Sequence, residues 1–218
     1  MSSEPRKPGR PKKITRDAIA TAGRRLTLPR ATVAGVAEEL GVGVRALYKH
    51  TNGINDIQVI TAEAIFASWE APVPGEAPLE VHLLEIALSL RKLAIENPGI
   101  AGFLVRNSHE TSPEVQRAMD AHQQSVAAAY QLKLAHSSLL IAAVAEHALA
   151  VTDVVHSHGG RVRDVDRMLE RADLPALSAA ARETQFRRDE EFFEFSTQAL
   201  VKGLLALLAD DERDEARN

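Results

Sequence analysis

The chain has 218 residues and a mass of 23.7 kDa, with 45% hydrophobic and 26% charged residues, a composition typical of soluble globular proteins rather than disordered ones. It contains no cysteine, which excludes disulfides, thiolate zinc sites and a cysteine nucleophile. The longest stretches free of Asp, Glu, Lys and Arg have 12 residues, at 121–132 and 134–145, and we expect them to be too short to span a bilayer. The N-terminus is polar and basic, so we expect no secretory signal and a cytoplasmic protein.

The net charge of −4 hides a strong asymmetry along the chain. Residues 1–50 contain eleven Lys or Arg and four Asp or Glu, a net charge of +7, and the remaining residues carry a net charge of −11. A basic head on an acidic body suggests a polyanionic partner for the head. The alternative is a basic, disordered tail that only keeps the chain soluble.

The head is predicted to be helical, because almost no stretch alternates apolar and polar residues as a strand does. Thr15 and Thr32 are each placed to cap a helix with the side-chain hydroxyl. The helices predicted in this region cover 16–26, 33–40, 44–50 and 55–71.

The larger, C-terminal part contains Ala- and Leu-rich segments of helical spacing, separated by Pro and Gly. Helices are predicted at 79–97, 99–107, 113–132, 136–157, 162–182 and 187–209. The sequence therefore predicts an all-α protein. We divide it into a helix-turn-helix head at 8–54, a helical body at 55–210 and a charged tail at 211–218.

The helices predicted at 136–157 and 187–209 are unusually apolar. Residues 139–155 are apolar nearly all round, and a helix of this kind must be covered on several sides. Two such helices in a short chain favour a four-helix bundle formed with a second copy. A single monomeric core is the alternative.

The strongest motif lies at residues 37–47. A helix-turn-helix unit needs a small residue where its helices cross, and Ala37 supplies it. It needs a residue that tolerates a positive φ in the turn, and Gly41 supplies that four positions later. Leu47, six positions further on, packs the second helix against the first.

Further short motifs surround this unit, namely Gly9-Arg10-Pro11, Val36 to Val42, Ala46-Leu47-Tyr48-Lys49-His50, Asn52-Gly53 and Asp56-Ile57. On these residues, and above all on the Leu-Tyr-x-His pattern at 47–50, the chain resembles the TetR family of one-component transcriptional regulators. The resemblance covers about residues 10–60. Residues 88–91 and 97–101 resemble the tetracycline-repressor branch more weakly.

The resemblance implies a DNA-binding regulator, most often a repressor, whose third helix enters the major groove of a double-stranded operator. Arg45 would bind guanine through two hydrogen bonds, with Gly43 and Val44 close to the base edges. The residues implied to contact the DNA backbone are Thr32, Tyr48, Lys49 and His50, with an N-terminal arm that contains Arg10, Lys12 and Lys13.

The resemblance also implies that the body binds a small-molecule effector between its helices. The candidates are polar and apolar residues on the body helices: His82, Ile86, Phe103, Asn107, His109, His122, Tyr130 and His147. His109 receives a slight preference, because tetracycline-type relatives place a metal-coordinating histidine near this helix end. For each histidine, a surface position or a satisfied place in the core is the alternative.

A helical metal-dependent enzyme is the rival interpretation, because Asp153, His156 and His158 would place a carboxylate and two imidazoles close together. However, the sequence has no Glu-x-x-His pair of the di-iron type and no His-Glu-x-x-His motif. A third possibility is a protein that binds DNA without sequence preference. We therefore expect a homodimeric transcriptional regulator that is not an enzyme, needs no cofactor and binds no membrane.

Overall fold

The computed structural model describes residues 14–107, 111–156, 174–176, 178–179, 189–215 and 217. These residues contain no β-strand, and the all-α fold class is confirmed. Their α-helices are α1 (Arg16–Leu26), α2 (Val33–Leu40), α3 (Val44–Leu47), α4 (Ile54–Phe66), α5 (Leu79–Glu96), α6 (Ile100–Asn107), α7 (Pro113–Tyr130), α8 (Leu134–His156) and α9 (Asp189–Glu215). Most of the helix predicted at 162–182 lies outside the described residues, as do Arg10, Lys12, Lys13, His109 and His158.

The chain divides into two compact units, which we call the head (Met1–Ala64) and the body (Ile65–Asn218). The sequence-based boundary at 54/55 lies ten residues earlier, directly after the first residue of α4. The reason for the difference is that Ile57 and Ile60 of α4 are buried in the core of the head. The first part of α4 therefore belongs to the head.

Both predicted N-terminal caps are present in the head. The Thr15 hydroxyl accepts a hydrogen bond from the backbone N–H of Ala18 at 3.1 Å, and the Thr32 hydroxyl accepts one from Gly35 at 3.0 Å. These bonds satisfy N–H groups that have no partner within the first turn of a helix. The short link between α1 and α2 folds as a 3₁₀ helix at Leu28–Arg30.

The turn between α2 and α3 follows the predicted pattern. Gly41 has φ 66° and ψ 39°, the left-handed conformation that glycine adopts without steric cost. Its N–H donates to the carbonyl of Glu38 at 2.9 Å, and the N–H of Val42 donates to Ala37 at 2.9 Å. This pair of bonds is a Schellman motif, which satisfies the last carbonyls of α2 and redirects the chain into α3.

The core of the head holds α2 and α3 together. Ala37 is 2% exposed and Leu47 is fully buried, as the helix-turn-helix spacing predicts. On the other side of the head, α1 crosses α4 at Gly23, where a Cβ atom would overlap the side chain of Thr61. A close crossing of α1 and α4 therefore requires glycine at this position.

Two helices of the N-terminal region end earlier than predicted. In α3, the N–H groups of Lys49 and His50 donate to carbonyls only three residues back, so the chain tightens into a turn after Leu47. α4 ends at Phe66 rather than Ala71, because the backbone N–H groups of Ser68 and Trp69 donate to carbonyls only three residues back. The Ser68 hydroxyl also donates to the carbonyl of Ile65, at 2.6 Å.

The body is built around α5, which packs against α8 and α9. α8 in turn contacts α6, α7 and α9. α9 continues to Glu215, into the segment predicted as a charged tail, and the Arg213 side chain donates to the carbonyl of Ala209 in its last turns. The positive charge of Arg213 near this end suits the negative end of the helix dipole.

The left-handed conformation of Gly41 generates a test of the turn. Replacing Gly41 by Ala is expected to lower the free energy of unfolding by about 1–2 kcal/mol, the cost of a Cβ atom in this conformation. No atom lies within 4 Å of the Cβ position, so the cost is one of backbone conformation alone. Urea unfolding followed by circular dichroism measures it. Gly41→Asn is the control, because asparagine tolerates this conformation, and equal losses for the two variants would contradict the interpretation.

Candidate DNA-binding, effector and dimerisation sites

The third helix presents its predicted DNA-contacting side chains to solvent. Gly43 caps α3 at its N-terminus, and Val44 and Arg45 in its first turn are exposed. Tyr48, directly after the helix, is 56% exposed even though it is a large aromatic residue. Leu47, between them, is fully buried and anchors this segment to the core.

The turn after α3 and the start of α2 complete this surface. Lys49 and His50 are exposed in the turn, and Thr32 is exposed at the N-terminus of α2. The Thr32 hydroxyl oxygen accepts the capping hydrogen bond of α2. The predicted phosphate contact would therefore involve the same hydroxyl group. Ile54, at the start of α4, is 49% exposed and carries no charge that could bind a phosphate.

The basic residues of the head differ in how they are used. Arg16 forms an ion pair with Glu63, and Arg25 forms one with Glu39 at 3.2 Å. Arg45 and Lys49 form no ion pair with any described residue and are exposed. Their positive charges are therefore available to an anionic partner.

In the body, three predicted ligand residues come together on α5 and α7. The imidazole ring of His82 lies 5.5 Å from the Tyr130 ring and 6.2 Å from the His122 ring, measured between centroids. Trp69 lies edge-on to His122 at 6.1 Å, and Phe66 lies 5.4 Å from Trp69. We call these five side chains the aromatic cluster.

The two imidazoles of this cluster are buried without hydrogen-bond partners. His82 is fully buried, and neither of its ring nitrogens has a hydrogen-bond partner among the residues that the structure describes. His122 is half-buried, and its Nε2 atom is buried and also lacks one. Most buried polar groups in proteins form hydrogen bonds, so two such imidazoles side by side require an explanation.

The other polar groups of the cluster are satisfied within the chain. The Tyr130 hydroxyl donates to the carbonyl of Ala77 at 2.9 Å and accepts from the N–H of Gly75 at 3.0 Å. The Trp69 ring N–H donates to the Ser89 hydroxyl on α5 at 3.1 Å. Tyr130 and Trp69 therefore hold the 66–78 segment against the body.

The remaining predicted ligand residues lie elsewhere or have internal partners. Ile86, one turn after His82, is fully buried, and Phe103 is buried on α6. The Asn107 side chain donates to the carbonyl of Phe103 in its own helix at 3.0 Å. His147 on α8 has its Nε2 atom 3.1 Å from the hydroxyl of Ser196 on α9. Sequence patterns gave no indication of Ser196 or Ser89 as partners.

Burial governs the protonation of these histidines. It lowers the pKa of His82 below its ordinary value, and the neighbouring charge of His122 lowers it further, while Glu85 opposes the shift. Burial also lowers the pKa of His122 and of His147. All three imidazoles are therefore neutral near pH 7.

The rival metal site receives no support from the described residues. The Asp153 carboxylate lies 3.7 Å from the guanidinium of Arg106, so it is already paired. His156 is the last residue of α8. Within the part of the chain that the structure describes, no group of three or more His, Asp or Glu side chains is placed to hold a metal ion.

α8 and α9 each carry an apolar stripe that the described part of the chain leaves exposed. On α8, Leu139 is 61% exposed and Val154 is 46% exposed, and on α9, Phe195 is 52% exposed. By length and composition alone, Leu134–Val155 and Glu190–Asp211 could each cross a membrane. Large exposed apolar surfaces of this kind mark interaction sites.

No protein-family model and no curated protein matches the chain. Its described fold is that of the TetR-family regulators, as the match with solved structures shows.

Among these structures is apo ActR from Streptomyces coelicolor, with a TM-score of 0.73 and 16% identity over 89% of this chain and 98% of that one. TetR from Acinetobacter baumannii has a TM-score of 0.58 and 18% identity over 89% of this chain and 98% of that one. SCO7222, a TetR from Streptomyces coelicolor, has a TM-score of 0.62 and 18% identity over 89% of this chain and 99% of that one. ActR is also known in complex with actinorhodin, with a TM-score of 0.68 and 19% identity over 89% of this chain and 98% of that one.

The lowered pKa values of the buried histidines make a contribution to stability that depends on pH. Below the ordinary pKa of 6.5, the unfolded chain takes up protons at these residues before the folded chain does. The free energy of unfolding is therefore expected to fall as the pH falls below 6.5, and to be unaffected by these groups at higher pH.

Melting temperatures at pH 7.5 and pH 5.5 test this expectation. His82→Leu removes one of the buried bases and two unpartnered polar atoms. It should shrink the loss of stability between the two pH values, without lowering stability at pH 7.5. If the variant loses as much stability between pH 7.5 and pH 5.5 as the wild-type protein does, His82 does not contribute to the pH dependence.

Proposed function

We propose that the protein is a ligand-responsive transcriptional regulator that binds a pseudo-palindromic DNA operator as a homodimer. The observation that carries this proposal is the exposed Arg45 on a short helix whose neighbouring Leu47 is fully buried. A side chain of this kind is held on a rigid element and is free to meet a partner. We further propose that the protein is a repressor, and that a small molecule bound in the body releases it from DNA.

The recognition surface consists of α3 and the turn that follows it. Gly43 and Val44 bring little bulk to the N-terminus of α3, so the backbone can approach base edges closely. Arg45 has the planar, two-pronged donor geometry that pairs with the O6 and N7 atoms of guanine. Tyr48 and Lys49 are exposed beside it and are suited to phosphate oxygens, which fix the register of the helix on the duplex.

A dimer is supported by the uncovered stripes of α8 and α9. The two helices contact each other and present Leu139, Val154 and Phe195 to solvent. Gly203 on α9 has no atom within 4 Å of its Cβ position, which leaves room for a neighbouring helix. Two copies that pair through these stripes would form a four-helix bundle, a geometry that buries apolar faces on all four helices.

The response to an effector follows from the two-fold arrangement. The two recognition helices of a dimer must stand about 34–36 Å apart to enter successive major grooves. An effector that binds better to a dimer with another spacing draws the population away from DNA, by no more than its difference in affinity for the two forms. ActR in complex with actinorhodin and a TetR variant in complex with minocycline are structures of the same fold with a bound small molecule.

The DNA-binding part of the proposal is tested by selecting duplexes from a random-sequence pool at two salt concentrations. A two-fold-symmetric site with half-sites about one helical turn apart is the expected result. If the selected duplexes share no consensus and binding is lost at the higher salt concentration, the result would contradict the proposal. The head would then bind DNA only through its charge.

On the selected site, Arg45→Ala is expected to weaken binding by about 1–3 kcal/mol and to relax the preference at one base pair of each half-site. Weak binding to unrelated duplexes should remain. Lys49→Ala is the matched control, because a lost phosphate contact should weaken binding to every sequence about equally and lower the salt dependence. Fluorescence anisotropy on specific and scrambled duplexes measures both, and equal loss of Arg45→Ala on the two duplexes would assign Arg45 to phosphate.

The dimer is tested by a charge on the α8 stripe. Leu139→Glu places a carboxylate in the proposed bundle, where it would be buried without a partner, and should convert the dimer to a monomer. Leu88→Glu is the control, because Leu88 is also an exposed helical leucine, 49% exposed, but belongs to α5 and not to α8 or α9. Sedimentation velocity distinguishes the states. A Leu139→Glu variant that stays dimeric would place the interface elsewhere.

A further inference from the structure

The unpartnered imidazoles of the aromatic cluster stand out from the rest of the body. Five buried side-chain atoms of the described residues lack a hydrogen-bond partner, and three of them belong to His82 and His122. Each unsatisfied polar group in a folded core lowers stability. Leucine at position 82 would fill the site without that cost, so the imidazoles are explained better by a partner that the chain itself does not supply.

The surroundings of these imidazoles are rich in aromatic rings. The chain has only nine Phe, Trp and Tyr residues, and three of them, Phe66, Trp69 and Tyr130, belong to this cluster. Trp69 is the only tryptophan. Aromatic side chains gain energy from the faces and edges of other rings beyond the area they bury. A concentration of rings beside unpartnered polar atoms fits a ligand that is itself aromatic and polar at one edge.

From this arrangement we infer that His82 and His122 are the polar anchor of the effector site, and that the effector is an uncharged, planar aromatic molecule with hydroxyl or carbonyl oxygens. The inference rests on the proposed function only in calling the bound molecule an effector. The binding site itself is defined by the residues of the cluster.

The hydrogen-bonding capacity of neutral imidazoles sets the chemistry of the ligand. Each ring has one N–H donor and one nitrogen acceptor. A phenolic hydroxyl can donate to the acceptor nitrogen, and a carbonyl oxygen can accept from the N–H. Both rings keep this capacity at neutral pH, because burial lowers their pKa.

The charges near the cluster argue for an uncharged ligand. Glu85, one turn from His82, is the group whose negative charge acts on that imidazole, and it is exposed to solvent. A buried cation or anion would require an opposite charge beside it. Fully buried His82 offers none in its neutral form.

Three matched two-ring probes test the inference on the purified, full-length protein without DNA. They are 2-naphthol, naphthalene and 2-naphthylmethylammonium, which carry a hydroxyl, no polar group and a positive charge, respectively. Equilibrium dialysis should show that 2-naphthol binds at least about tenfold more tightly than either of the others. Absence of 2-naphthol binding, or equal affinity for naphthalene, would overturn the inference. Equal affinity for the ammonium probe would overturn its statement about charge.

Substitutions assign the preference to the imidazoles. In His82→Leu and in His122→Leu, the ratio of the two affinities, 2-naphthol over naphthalene, should fall close to one. His136→Leu is the matched control and should keep the wild-type ratio, because His136 lies on α8 outside the aromatic cluster, with its Nε2 atom 3.2 Å from Asp211 and its Nδ1 atom buried without a partner among the described residues. His122 is only half-buried, so His122→Leu tests the same preference at a second, more accessible position, independently of His82→Leu.

A direct readout on the wild-type protein completes the experiment. Addition of 2-naphthol should shift the ring-nitrogen NMR signals of His82 and His122, and leave those of His136 in place. Shifts confined to other histidines would overturn the inference.

Selection of DNA from the random pool is independent of all these measurements. A protein that binds 2-naphthol through the imidazoles but selects no DNA site would refute the proposed function, and the reverse result would refute the inference alone.

Discussion

The packing of α5 against α8 is the constraint on which the rest of the body depends. α5 buries one long face, including Leu83, Ile86 and Leu90, and α8 supplies Leu140 and Val144 to the same core. His82 lies on the buried face of α5, where its ring meets those of His122 and Tyr130 on α7. α8 also packs against α6, α7 and α9, yet Leu139 and Val154 stay exposed on it. The core of the body thus encloses the imidazoles, while part of α8 remains as a surface suited to a second copy.

The head obeys a different constraint, which is local. A left-handed glycine and two backbone hydrogen bonds fix the angle between α2 and α3, and the burial of Leu47 holds it. The exposed side chains of α3 are therefore not needed for this packing. In the proposed function they contact DNA, so a substitution of Arg45 changes DNA recognition with little effect on the fold.

The aromatic cluster illustrates how a site can oppose stability. A core of Leu and Ile in place of His82 and His122 would contain no unsatisfied nitrogen atoms. Local disagreement with the rules of packing is expected at functional sites, and in our inference the missing partner is the ligand. His147 provides the contrast: its imidazole is also buried, but the hydroxyl of Ser196 on the facing helix lies within hydrogen-bonding distance. Burial by itself therefore does not distinguish a binding histidine from a structural one.

The sequence by itself determined what depends on neighbours within about six residues: the caps at Thr15 and Thr32, the turn at Gly41 and the all-α class. Among eight candidate ligand residues it gave a slight preference only to His109, which lies outside the described residues, and it extended α4 past Phe66. Only the tertiary structure decided that His82 and His122, forty positions apart, lie side by side without partners, and that His147 has one. The hydrogen bonds of caps and turns join residues only a few positions apart, so the spacing of residue types in the sequence predicts them. Whether a buried imidazole finds a partner depends on a distant helix, because packing brings together residues that no local pattern relates.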